Sequence, residues 1–177
     1  MINNVSFDSK FSSLATVDQE FSDDSLELIQ QWSQYYGDCF LKSEVAKLAL
    51  SKKALEEFPF ILSSFCDFCY SYYLQKPGQW MSDAVSDVLL NIMPRKVMAD
   101  DAFFSQAALV LINFLTWMET EKYLSDIQAI KETMLAVEDD ILKQAKNPNN
   151  WGLAKSLFSG MPLSKNTTSK QARRITM

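Results

Sequence analysis

Interruptions are what this chain lacks: only four glycines and five prolines are spread through 177 residues. A fold made of strands needs turns roughly every ten residues, and such turns draw on Gly and Pro. The scarcity therefore points to long helices joined by short connections. Because 47% of the residues are hydrophobic and 12% aromatic, the expected fold is all-α, a compact bundle of about six to seven helices around an aromatic-rich core.

The pattern along the chain gives these helices approximate bounds. Residues 1–22 show no sustained periodicity and are expected to form an irregular N-terminal arm, docked or not. From Asp23 to Tyr36, Leu26, Ile29, Trp32 and Tyr36 recur at helical spacing. Ser22 or Asp23 can cap this helix, and Gly37 is placed to end it. A second short helix is expected over Asp38 to Leu50, with Phe40, Val45, Leu48 and Ala49 facing inward. Leu55 to Gln75 is the most aromatic segment and the expected central helix. It has Pro59 near its start and a Lys76-Pro77-Gly78 stop.

A fourth helix is expected from Ser82 to Ile92, ended by Pro94, and a long apolar one from Asp100 or Asp101 to Thr120. Ser125-Asp126-Ile127-Gln128 fits a capping box opening a helix that ends before Asn147-Pro148. A short helix, Leu153 to Phe158, follows the Asn-Pro-Asn-Asn turn. The helical domain is thus expected over 23–161, with 162–177 a basic, disordered tail.

Charge narrows the function classes. The net charge is −5, and the tail supplies Lys165, Lys170, Arg173 and Arg174, so residues 1–161 stand at −9. An acidic body repels phosphate backbones, which excludes nucleic acid as its expected partner. Three cysteines make no disulfide framework, and Met1 to Ser13 lacks the basic start and apolar run of a secretory signal. A reducing, cytoplasmic setting is the expectation. The apolar stretch Ala107 to Met118 is short of the ~20 residues of a membrane span and reads as a core helix.

There is no histidine anywhere in the chain. That removes Ser-His-Asp and Cys-His catalysis, His-rich zinc sites and the Glu-x-x-His pairs of di-iron bundles. Cys66-Asp67-Phe68-Cys69 has the spelling of a redox or metal motif. It lies inside a helix, however, without a second pair, and reads as two small core residues. The acidic pairs at Glu56-Glu57, Asp83 with Asp87, Asp100-Asp101 and Glu138-Asp139-Asp140 read as helix starts or solvated faces. No catalytic residue, cofactor or metal is expected.

Two loops stand out. Arg95 and Lys96 are adjacent cations between two helices of an acidic body, suited either to the carbonyl end of the preceding helix or to an anion or partner. Trp151 beside Gly152 suggests a ring wedged into the bundle while the chain passes closely by, locking the last helix.

The segments Asn91-Ile92-Met93-Pro94-Arg95-Lys96-Val97 and Asn147-Pro148-Asn149-Asn150-Trp151-Gly152-Leu153-Ala154-Lys155-Ser156 resemble a helical region of uncharacterised bacterial proteins. In that family a Pro-Arg-Lys-Val segment precedes an Asp-Pro-x-x-Trp-Gly-x-Ala-Lys-Ser motif, with an aromatic helix between them, here Phe114-Leu115-Thr116-Trp117. The resemblance spans roughly residues 55–160, and Asn147 replaces the usual Asp. It implies a bacterial helical module with no assigned activity. It raises Arg95, Lys96, Trp151 and Lys155 as the candidate anion- or partner-binding residues.

The expected function is a non-enzymatic helical module that binds another protein. The alternatives are a small-molecule, nucleotide or anion-binding protein using Arg95, Lys96 and Lys155, possibly hydrolytic, and a secreted bacterial effector. Convergence of the four candidates on one cleft favours the ligand reading, and scatter favours packing and a protein partner.

Overall fold

A computed structural model describes residues 9–158, and the expected basic tail lies outside them. The chain is an all-α bundle. Its helices are α1 (Asp23–Lys42), α2 (Glu44–Ala49), α3 (Lys52–Tyr73), α4 (Ser82–Asp87), α5 (Met93–Lys96), α6 (Asp101–Thr120), α7 (Gln128–Lys146) and α8 (Leu153–Phe158). A π turn, Val88–Ile92, fuses α4 and α5 into one helical stretch, so the described residues contain seven rods.

Helix starts follow their side chains. Ser22, Ser43 and Ser51 each accept from the amide N–H three residues on and cap α1, α2 and α3, while Asp100 caps α6 through the Phe103 amide at 3.2 Å. After α3 the chain turns at Lys76-Pro77-Gly78-Gln79. The Gln79 N–H returns to the Lys76 carbonyl, and Gly78 takes φ 84°, the left-handed position that a type II turn requires.

Packing is organised around two neighbouring helices. α3 lies against α1 on one side and α6 on the other, and α6 lies against α7. Phe114 of α6 sits at the centre, with the rings of Phe40 and Phe58 both 5.6 Å away and Trp32 edge-on at 6.1 Å. Centrality is thus shared between α3 and α6, and α3 also leaves Phe60, Tyr72 and Tyr73 exposed. As a whole helix, α6 is long and apolar enough to cross a membrane, which the Ala107–Met118 stretch alone was not. In this fold 56% of that window is buried.

Several boundaries differ from the sequence expectation. Gly37 does not end α1, which runs five residues further to Lys42. The glycine is buried because α3 comes close: a Cβ there would lie 3.3 Å from Leu62 Cδ2 and 3.6 Å from Phe58 Cε1. The second helix is correspondingly shorter, and its Val45 and Leu48 face outward, with Ala46 buried in their stead. Pro59 lies two turns inside α3, since the Ser51 cap sets an earlier start.

Pro94 does not terminate the fourth helix either. The π turn widens the ladder so that the Met93 N–H reaches back to Val88, and the proline enters α5 at a position where an amide proton is dispensable. At α7 the capping box is absent. Ser125 donates to the Asp126 carboxylate, Asp126 adopts φ 58°, and the helix starts at Gln128 without a side-chain cap.

The arm is docked where it is described. Ser9–Ala15 forms a 3₁₀ helix with Phe11 and Leu14 buried. Behind it Asp18 accepts from Lys76 Nζ and from the Tyr70 hydroxyl, both at 2.7 Å, and Gln79 donates to the Leu14 and Ala15 carbonyls. Lys76 is only 3% exposed. An isolated ammonium at that depth is costly, and Asp18 offsets the cost while tying residue 18 to the α3–α4 connection.

Candidate functional site

The two singular motifs meet, and what they build is a clasp. α5 ends with carbonyls that have no further helical donor. Lys155 Nζ donates to the Pro94 carbonyl at 2.9 Å, and the Gly152 N–H donates to the Arg95 carbonyl at 3.3 Å. A Cβ on Gly152 would lie 3.2 Å from that same carbonyl oxygen, so any larger residue there needs a shift of a few tenths of an ångström at this joint. Trp151 Nε1 donates to the Ala145 carbonyl at the end of α7, at 2.7 Å. The Lys155 ammonium also lies over the Phe104 and Trp151 rings, 4.9 and 5.4 Å from their centroids, and burial draws its pKa below the ordinary value. The clasp thus stitches α8 to the ends of α5 and α7.

Of the four candidates, Trp151 and Lys155 therefore stand together, with Lys155 on the Pro94 carbonyl and only Gly152 touching the backbone of Arg95. The side chains of Arg95 and Lys96 are exposed. The nearby aspartates are engaged elsewhere, Asp100 by Lys53 at 3.4 Å and Asp101 by Lys146 at 2.7 Å. Lys96 belongs to a different feature, a groove of about 450 Å³ between α3 and the end of α5. Phe60, Phe68, Val97 and Met98 give this groove apolar walls, and Ser63, Ser64 and Asp67 add polar ones.

On the other side of α3 lies a second cleft, of about 490 Å³. α1 contributes Gln30, Ser33, Gln34, Gly37, Asp38 and Leu41, one face of a helix. α3 contributes Phe58, Pro59, Ser63 and Asp67. Ser63 and Asp67 thus form a ridge with a cleft on each flank. Both volumes fall within the roughly 300–1,000 Å³ of ligand clefts.

The chemistry of the α1–α3 cleft is mostly that of acceptors. Gln30 Nε2 donates to Asp67 Oδ2 at 3.1 Å, while Oδ1 is buried with no hydrogen-bond partner. Burial raises the Asp67 pKa, and the Gln30 bond only partly opposes it. Ser33 and Ser63 donate to the Gln30 and Phe60 carbonyls, which leaves their lone pairs for a ligand. Pro59 has no N–H, so the Leu55 carbonyl one turn earlier loses its helical donor. No lysine or arginine is among the described residues that line the cleft.

The cysteines and the tyrosine–carboxylate pair of α3 and α4 are placed elsewhere or held inert. Cys66 and Cys69 are buried in α3, where burial pushes both thiols well up and away from the nucleophilic thiolate. The Tyr73 hydroxyl donates to Asp87 at 2.5 Å, which pushes its pKa up to about 12. Asp87 also accepts from Asn91. The acidic pair Asp83 and Asp87 therefore supplies a helix start and a hydrogen-bond acceptor.

No protein-family model matches this chain, and no curated protein or solved structure matches it either.

Proposed function

We propose that this chain is a non-enzymatic helical module that binds a partner protein across the face made by α1, α3 and α5. The observation that carries this reading is the ridge of Ser63 and Asp67 with a cleft on each flank, one acidic and one apolar. Such a face offers apolar anchor pockets beside charged groups that fix orientation, the division of labour found in protein interfaces. Phe60 is 49% exposed at its edge and Met98 53%. Lys96, of the four sequence candidates, lines this face. An anion site at Arg95, Lys96, Trp151 and Lys155 has less support, because the Lys155 ammonium is engaged by the Pro94 carbonyl and two rings. A bacterial, cytoplasmic setting belongs to the same proposal and rests on the two motifs and on composition.

The reading is tested by affinity capture with three versions of the chain: wild type, Phe60→Glu and Leu135→Glu, the last altering an exposed residue outside the face. One protein species retained by wild type and by Leu135→Glu but lost by Phe60→Glu is the expected result. Equal retention, or equal loss, by the two variants contradicts it.

A further inference from the structure

The last described helix is turned inside out. In α8 the half-buried residues are the polar pair Lys155 and Ser156, while Leu153, Ala154, Leu157 and Phe158 are exposed. At about 100° per residue those four positions fall on one side of the helix, so its outward face is apolar throughout, the reverse of an ordinary surface helix. The clasp holds α8 in this attitude, because Lys155 is fixed inward on the Pro94 carbonyl and over the Phe104 ring. Phe158 is 79% exposed, so nothing among the described residues covers the face.

Positive charge borders it. Gly152, which leads into α8, rests against Arg95, and the side chains of Arg95 and Lys96 are exposed with no ion pair among the described residues. Beyond Phe158 the sequence adds Lys165, Lys170, Arg173 and Arg174 and no acid. Charge complementarity therefore asks for an occupant that is anionic as well as apolar. An anionic phospholipid surface is both, its acyl boundary taking the side chains of a convex helix face and its headgroups the cations. A nucleic acid supplies the anions but gains nothing from Leu153 and Leu157, which do not stack on bases as aromatic rings do. The acidic remainder of the body is screened from such a surface beyond about 10 Å at ordinary salt.

We infer that α8 is a membrane-surface contact: Leu153, Leu157 and Phe158 enter the boundary between headgroups and acyl chains of an anionic phospholipid surface, while Arg95 and the cations beyond residue 158 meet its phosphates. The inference goes beyond the partner face of α1, α3 and α5 and does not depend on it.

The test is co-sedimentation of the whole chain with vesicles of phosphatidylcholine alone and of equimolar phosphatidylcholine and phosphatidylglycerol. Binding to the anionic vesicles only, weakened by added salt, is the expected result. Leu157→Ser combined with Phe158→Ser is expected to lower the partition about tenfold or more. Arg173→Gln combined with Arg174→Gln should lower it about fivefold for each charge removed. Leu135→Ser, at an exposed position on α7, should leave it unchanged. All these changes are at exposed or terminal positions, and melting curves close to wild type are expected. No binding to the anionic vesicles, equal binding to the neutral ones, or wild-type binding by the variant lacking both apolar side chains overturns the inference. Single-stranded DNA that displaces the chain from the vesicles at equal phosphate concentration assigns the cations to nucleic acid and overturns it too.

Discussion

The ammonium of Lys155 lies 2.9 Å from the carbonyl oxygen of Pro94, so a side chain of the last described helix caps the C-terminal end of another 61 residues earlier. Two motifs that stand far apart in the sequence are in this way a single structural joint. Replacing Lys155 by Met keeps most of the aliphatic stem and removes the donor and the charge over Phe104 and Trp151. The expected loss is about 1–2 kcal/mol of stability, read as a lower urea midpoint with an unchanged slope.

Asp18 gives the fold an acid-sensitive tie. Burial by itself raises its pKa, but hydrogen bonds from Lys76, Ser25 and Tyr70 outweigh this and hold it at about 2, below the ordinary 3.8. The folded state binds the proton less tightly than the unfolded one, so the stabilisation is present in full above about pH 4 and is lost as pH falls through about 2. Asp18→Asn also leaves Lys76 buried without its counter-charge and is expected to cost about 2–4 kcal/mol at neutral pH. Paired denaturation curves should differ at pH 7 and converge as the pH approaches 2.

Gly37 separates helix propensity from packing. Alanine there gains about 0.8–1 kcal/mol of propensity, while its methyl group meets Leu62 Cδ2 at 3.3 Å and requires a small shift. The two effects are of similar size, so Gly37→Ala should fall within about 1 kcal/mol of wild type. Gly37→Leu has no such room and should destabilise by about 2–3 kcal/mol, measured by denaturant unfolding.

Pro59 sits on the exposed wall of the cleft, inside α3. Pro59→Ala restores a donor for the Leu55 carbonyl and should raise stability by about 1–2 kcal/mol. Thermal melting of the two proteins checks this. A stabilising change in the cleft wall that also weakens partner binding is the pattern expected where local helix stability has been given up for a binding surface.

What the sequence disclosed depended on whether a residue's cause was local. The Pro77-Gly78 turn and the Asp100 cap follow from chemistry within four residues, and both are found where the pattern puts them. Trp151 beside Gly152 was legible as a lock because so large a ring next to so small a residue implies a close approach. Gly37 and Pro59 misled because their reasons are tertiary: one permits contact with Leu62 and Phe58, and the other is carried inside a helix supported by α1 and α6. Pro94 misled for a different reason, since only the π turn before it allows the helix to continue.

The clefts were not legible at all. Gln30, Gln34 and Asp38 recur at four-residue spacing, as do Ser63 and Asp67, and such polar rows are what any solvated helix face displays. Only the crossing of α1 and α3 turns these rows into the walls of one cleft. The unpaired oxygen of Asp67 has no signature in sequence, because it arises from the burial supplied by a neighbouring helix.

Partner binding at the face of α1, α3 and α5 can be read by site-specific photo-cross-linking in the native cell. A benzophenone amino acid is placed at Phe60 in one version and at Leu135, on the outward side of α7, in another. One discrete adduct is expected from position 60, none from position 135, and loss of that adduct when Asp38 and Asp67 are both changed to Asn. Adducts from position 135 alone, or none from position 60 in a protein that melts like wild type, would contradict it.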